Sequence, residues 1–289
     1  MWKNKKVLVT GSEGMIGKEL VIQLEGLGAD ILLADLKVPF GGATDLTNYK
    51  ECIDVCEDIE YIFHLAGVKG NPKKTKERPV DFMGPMLQFD TNMILAAQEE
   101  GVKRFLYTSS IAVENPESDK YPAWAKQTAE TLIEAMRIQY KDVPKEYKTN
   151  YCIVRPSNVY GRFDNFDNPD AMVVTSLINK AMKDGNLILD EKGCEQFRDF
   201  INAKDVARGM IKAMEDMPDK PVNLCSGEEV QIAVIIKLIM NNTGCSTEFR
   251  NLNLTLGPNK KVMKINWDFK PEISLEKGIK EVIEWNLKH

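Results

Sequence analysis

Residues Lys5–Gly17 read KKVLVTGSEGMIG, and the fold turns on them. Val7, Leu8 and Val9 form a short apolar run, the pattern of a strand buried on both faces. Thr10 and Gly11 then turn the chain. Glycines fall at 11, 14 and 17, and Ile16, Leu20 and Leu24 follow at helical spacing. This strand–glycine turn–helix order presents a helix N-terminus to a pyrophosphate. Gly11 allows the tight turn, Gly14 lets the backbone approach the phosphates, and Gly17 lets the helix pack on the strand. A glycine triplet also makes a plain strand–helix corner, so context decides. Here an acid, Asp35, ends the next apolar run, Ile31-Leu32-Leu33-Ala34.

The chain has 289 residues and a formal net charge of −5. That length suits one large α/β domain, or a nucleotide domain with a smaller cap. No basic patch points to nucleic acid. No apolar run is long enough to span a bilayer, and no signal peptide precedes the first strand. The six cysteines, at 52, 56, 152, 194, 225 and 245, are scattered. Cys52 and Cys56 lack a second Cys/His pair, so no metal site is expected. Reduced thiols in a cytoplasmic protein are the expectation. His64 and His289 are the only histidines, which argues against a His-based triad or a zinc site.

Strand-like and helix-like segments alternate through the first half. Strands are expected at 7–10, 31–35, a short one ending at 45–47, then 61–65, 104–108 and 151–155. Helices are expected near 14–26, through Cys56, from about Pro85 to Glu100, and from Pro122 to about Lys141. Residues 69–78 read as a polar loop. The alternation predicts an α/β protein: a Rossmann-type doubly wound parallel sheet. Residues 1–160 would form the dinucleotide-binding domain, with 197–215 returning to it. Residues 161–196 and 216–289 would form a smaller substrate-binding lobe. The ligand should lie outside the carboxyl ends of the strands.

Several segments together resemble the extended short-chain dehydrogenases/reductases that act on nucleotide sugars. They are TGSEGMIG (10–17), DL (45–46), FHLAG (63–67), GVKRFLYTSS (101–110), WAKQTAE (124–130), RPSNVYG (155–161), RDFINAKDVA (198–207) and WDFKPEISLEKGIKEVIEW (267–285). They occur in family order from end to end. Within the family, residues 161–181 look most like GDP-fucose synthase and its GDP-sugar relatives.

The resemblance implies the site. Gly11, Gly14, Met15 and Ile16 would approach the pyrophosphate. Asp35 would take the adenosine ribose hydroxyls; a carboxylate suits two hydroxyl donors and repels a 2′-phosphate, so NAD is favoured over NADP. Asp45 and Leu46 would bracket adenine, and Leu65, Ala66 and Gly67 would line the cofactor's centre. The family's chemistry uses a Ser or Thr, a Tyr and a Lys. The tyrosine takes a sugar proton while hydride moves, and the lysine binds the nicotinamide ribose and lowers the tyrosine pKa. Ser110 and Lys126 match the first and last. The tyrosine belongs four residues before the lysine, where Pro122 stands, and Tyr121 is one place further back. In an unbroken helix that five-residue separation rotates Tyr121 about 140° from Lys126. Pro122 favours a first helical turn, which would leave Tyr121 outside the helix with freer geometry. Two readings follow. Tyr121 swings in as the acid/base, or the chain is a catalytically impaired or non-catalytic dinucleotide- or nucleotide-sugar-binding protein.

The residues after Ser110 narrow the reaction. Family 4,6-dehydratases carry an acidic pair where this chain has Ile111 and Ala112. The 3,5-epimerising synthases use a cysteine and a histidine where it has Ile111 and Met172. Hydride transfer at a sugar carbon, C4 above all, or 4-epimerisation remains. Asn158 and Arg198 match positions contacting the nucleotide diphosphate, and Lys180 adds charge. A guanidinium clamps phosphate oxygens with two parallel bonds. The resemblance implies a nucleotide sugar as partner, a GDP-sugar as the nearest choice. It also implies a homodimer through the helices near 85–100 and 122–141. Arg155 and Asp205 read as structural.

Overall fold

The computed structural model describes all residues except 38–42, 71, 145–147, 167, 169–170, 189–190 and 249–264. Part of the lobe assigned to 216–289 thus lies outside the described residues. In chain order the elements begin β1 (Lys6–Thr10), α1 (Met15–Gly26), β2 (Asp30–Ala34), α2 (Tyr49–Cys56), β3 (Tyr61–His64), α3 (Pro72–Glu77), α4 (Pro79–Glu99) and β4 (Arg104–Thr108). They continue with α5 (Lys120–Gln139), β5 (Asn150–Pro156), β6 (Asn158–Tyr160), α6 (Val173–Asp184), β7 (Asn186–Ile188), α7 (Glu191–Cys194), β8 (Phe197–Asn202) and α8 (Ala203–Asp216). The last are β9 (Val222–Leu224), β10 (Glu229–Gln231), α9 (Ile232–Thr243), β11 (Ser246–Glu248) and α10 (Leu275–Asn286).

Six strands form one parallel sheet in the order β2-β1-β3-β4-β5-β9. Alternate side chains along a strand face opposite ways, and both faces are covered. Leu8, Ile62, Phe105, Tyr107 and Ile153 pack under α2, α4 and α5. Val7, Val9, Phe63, Leu106 and Val154 pack under α1 and α8. That double burial is why the centres of β1, β3, β4 and β5 are apolar, whereas edge strand β2 leaves Leu32 exposed. The order reverses between β1 and β3, so a crevice opens at their carboxyl ends.

A second cluster lies outside the sheet. Tyr160, Ile178, Ile236 and Ile283 join α6, α9 and α10. Beside it, β8 pairs with β6 and β10. Asp199 joins the segments here: Ser157 and Ser226 hydroxyls and the Ser226 and Gly227 N–H groups all bond its carboxylate. Arg162 forms a forked pair with buried Glu19 of α1 and lies over the rings of Phe163 and Trp285.

Several boundaries differ from expectation. The short strand ending at 45–47 is a turn. The polar loop at 69–78 contains α3. Helix α4 starts at Pro79 and carries Pro85 inside it. Helix α5 starts at Lys120, so Tyr121 lies within its first turn rather than outside. Of residues 197–215, helix α8 returns to the sheet, but β8 joins the smaller one. The sixth parallel strand is Val222–Leu224, inside the stretch assigned to the lobe.

All six cysteines are buried, and none is joined in a disulfide. Burial pushes the thiols of Cys52, Cys152 and Cys225 up to about 12.

Candidate active site

Gly11 has φ +67°, and a Cβ there would lie 2.8 Å from the Leu65 carbonyl and the Ala66 nitrogen. Only glycine lets β1 turn this close to the end of β3. Gly14 caps α1, whose first turn has no acidic residue. A Cβ on Gly17 would come within 2.3 Å of the Gly11 carbonyl oxygen. Gly17 therefore packs on the glycine turn itself rather than on the strand.

Two chambers open beside this turn, of about 360 and 230 Å³. They share Gly11, Gly14, Leu65, Gly67 and Val68, so they form one elongated cleft. Asp35, Asp45, Leu46 and Ala66 line one end. Asp35 accepts the Glu13 N–H at 3.1 Å and the Lys37 N–H at 3.1 Å. Asp45 accepts the Thr47 hydroxyl at 2.7 Å and its N–H at 2.9 Å, and these bonds lower its pKa. Met15, Ile16, Thr108, Asp119, Pro122 and Met172 line the other end.

This lining fits a dinucleotide. Gly11 and Gly14 line both chambers, and the α1 N-terminus beside them favours an anion there. The hydroxyls of Ser12 and Thr108 are buried with no bonding partner. Such orphans are rare in folded proteins, and Thr108 lines the far chamber, where a polar group of a ligand would satisfy it. Among the described residues no group of three or more His, Cys, Asp or Glu could hold a metal ion.

The catalytic candidates are not gathered. Ser110 caps the turn that follows it, accepting the Ala112 N–H at 3.2 Å. Tyr121 is half-buried and lines neither chamber, whereas Pro122 does. Lys126 is buried behind the cleft. Its Nζ lies 3.4 Å from Asp90 Oδ2 and 4.7 Å from the centre of the Tyr107 ring.

Lys126 ends a buried network that the sequence reading missed. Thr10 Oγ1 accepts the Leu65 and Ala66 N–H groups at 3.2 Å, so its own proton goes to His64 Nδ1 at 2.7 Å. His64 Nε2 then carries the ring proton and donates to Asp90 Oδ1 at 3.0 Å. The Tyr107 hydroxyl donates to Asp90 Oδ2 at 2.5 Å. Burial drives the His64 pKa down against the pull of Asp90, so the ring is neutral. Burial, then Asp90, raises Tyr107 well above the usual phenol value.

The substrate candidates stand apart. Asn158 donates to the Asp199 carbonyl at 2.9 Å. Arg198 is exposed and bonds Gln196 and the Phe197 carbonyl. Lys180 is exposed on α6. None of the three lines either chamber. Lys69 does, paired with buried Asp164. Arg155 and Asp205 are structural: Arg155 forks onto Glu130, and Asp205 accepts the Glu272 and Ile273 N–H groups.

A profile of the "NAD dependent epimerase/dehydratase family" matches residues 7–225. The chain belongs to that family. Relatives across the family's length are distant. A dTDP-4-dehydro-6-deoxy-D-allose reductase from Streptomyces sp is 24% identical, covering 100% of this chain and 98% of its own. A GDP-L-fucose synthase from Azorhizobium caulinodans is 26% identical over 99% of this chain and 97% of its own. Among solved structures, a UDP-glucose 4-epimerase of Thermotoga maritima superposes with a TM-score of 0.80 at 21% identity, covering 98% of this chain and 99% of that one. These likenesses agree with the extended short-chain dehydrogenase/reductase resemblance and with the parallel-sheet fold.

Proposed function

We propose that this chain is an NAD-dependent oxidoreductase or epimerase of a nucleotide-diphosphate sugar. One observation carries the reading. A continuous cleft runs from Asp35 and Asp45, past the glycine turn, to Asp119 and the orphaned Thr108 hydroxyl. In this reading Gly11, Gly14, Met15 and Ile16 face the pyrophosphate, Asp35 the adenosine ribose, and Asp45 and Leu46 the adenine. Leu65, Ala66 and Gly67 line the cofactor's middle. The bound nicotinamide would supply a two-electron hydride acceptor and donor. A carboxylate at the ribose favours NAD over NADP.

Hydride transfer at the sugar, at C4, suits what surrounds the far chamber. Ile111 and Ala112 cannot move protons, which disfavours 4,6-dehydration. Met172 lines the cleft where 3,5-epimerisation would need a protic group. Exposed Arg198, with Asn158 and Lys180, is assigned to the diphosphate end. The relatives' names span dTDP-, GDP- and UDP-sugars, and residues 161–181 favour GDP. Pairing of two copies through α4 and α5 belongs to the same reading. So does a cytoplasmic location, which six cysteines without a disulfide suit. No helix among the described residues is long and apolar enough to cross a membrane.

The test is a panel of GDP-, UDP- and dTDP-sugars with NAD or NADH, following cofactor absorbance and sugar composition. Conversion of one sugar supports the reading. Tight NAD binding with every sugar unchanged would replace it with that of a non-catalytic binder.

A further inference from the structure

Pro122 lines the cleft where the family's tyrosine would stand, yet a protic side chain reaches the same chamber from three residues earlier. Asp119, which immediately precedes α5, lines it with Thr108, Gly67 and Pro122. Pro122 and Lys126 lie four apart on one face of α5, and Asp119, at φ −149° and ψ 65°, stands just ahead of that helix. Tyr121 lies about 140° from Lys126 on the same helix. Asp119 is half-buried and stands at the N-cap position of α5, but its side chain makes no capping bond. Its Oδ1 instead accepts the hydroxyl of buried Thr75, from α3, at 2.9 Å. That bond fixes the carboxyl's orientation.

We propose that Asp119, not Tyr121, is the catalytic residue that exchanges the substrate's proton. The proposal rests on the nucleotide-sugar reading above. In the oxidising direction the Asp119 carboxylate takes the proton of a sugar hydroxyl. The O–H electron pair becomes the second C–O bond, and the carbon's hydrogen leaves with its electron pair for the nicotinamide. In the reducing direction each transfer runs backward, and Asp119 returns the proton to the carbonyl oxygen. A proton carrier works best with a pKa near the working pH. Burial raises the Asp119 pKa above the ordinary aspartate value, against the lowering effects of the Thr75 bond and the Lys76 charge. Of the cations on neighbouring segments, Lys69, which lines the same chamber, pairs with Asp164, and Lys120 lies over the Trp124 ring.

The experiment compares wild type, Asp119→Asn, Tyr121→Phe and Thr75→Val with the sugar that the panel identifies. Asp119→Asn should lower kcat about 10²- to 10⁴-fold, and Tyr121→Phe should leave it within about threefold. Thr75→Val removes a pKa-lowering bond, so it should move the pH–rate limb to higher pH; it serves equally if Asp119→Asn does not fold. A second readout needs no cofactor. A raised carboxyl pKa means that the fold holds a proton the unfolded chain has released, so stability from this group falls as pH rises through the folded value. The melting temperature of Asp119→Asn should therefore gain on wild type as pH rises from 4 to 7. Full activity in Asp119→Asn, loss in Tyr121→Phe, or a melting difference independent of pH overturns the proposal while leaving the nucleotide-sugar reading intact. A wild type inactive on every sugar overturns both.

Discussion

Lys126 Nζ lies 3.4 Å from Asp90 Oδ2, and both side chains are buried. Burial alone would push the Asp90 carboxyl up, but Lys126, His64 and Tyr107 outweigh it and hold the pKa below the usual range. Removing one partner would strand the other charge in the interior. Asp90→Asn should cost about 3–5 kcal/mol in urea unfolding. Lys126→Met should cost a similar amount. The double substitution should recover much of the loss, because neither charge is then left alone. Additive losses would show that the two groups are not coupled.

His64 gives the protein an acid sensitivity with a definite window. Its folded pKa is lowered by burial from 6.5, so the unfolded chain takes up a proton that the folded one refuses. Stability from this group is present above about pH 6.5 and is lost as pH falls below it. As pH falls below 6.5 the wild type should lose stability through this group. His64→Gln should lack that component of the slope. Unfolding curves at half-unit pH steps will show it, and equal slopes in the two proteins would count against a neutral His64.

Asp35 should decide cofactor choice. It already accepts two backbone N–H groups, so it is oriented before any ligand arrives. Asp35→Ala should weaken NAD binding roughly tenfold or more, the loss of a charged hydrogen bond. It should also narrow the gap between NAD and NADP. Fluorescence titration with both cofactors reads the change, and an unaltered NAD affinity would remove Asp35 from the ribose.

Gly17 should tolerate no side chain. A methyl group there meets the Gly11 carbonyl and Ser12 Cα, both backbone. Gly17→Ala should cost about 2 kcal/mol or more and abolish NAD binding together with the turn. Gly26, where a Cβ would meet nothing within 4 Å, provides the control: Gly26→Ala should be neutral or slightly stabilising.

β1, β3, β4 and β5 are legible because they are buried on both faces and so read as apolar runs; β2, at the sheet edge with Leu32 exposed, is legible from Ile31-Leu32-Leu33-Ala34 alone. The sixth, Val222–Leu224, is too short to show a period. Helix α3, PKKTKE, has no apolar stripe and was hidden for that reason. Pro85 concealed the first turns of α4; it forgoes a bond to the Asp81 carbonyl, which the helix tolerates near its start. The cofactor end of the cleft was legible because one turn and two strand ends build it. The Thr10–His64–Asp90–Tyr107–Lys126 network was not, since its members come from five elements and meet only in three dimensions. Asp119 carries no sequence signal of its own, because it precedes α5 with non-helical backbone and reaches the cleft only through the fold.

The burial of all six thiols has a practical side. Cys52 and Cys56 sit under one face of the parallel sheet, Cys152 under the other, and Cys194 and Cys245 in the cluster of α6, α9 and α10. None can meet a bulky thiol reagent until its own neighbourhood opens. The cysteines are therefore built-in clocks. Their separate labelling rates would time the opening of each layer, and would tell whether a bound sugar nucleotide slows one region or the entire molecule.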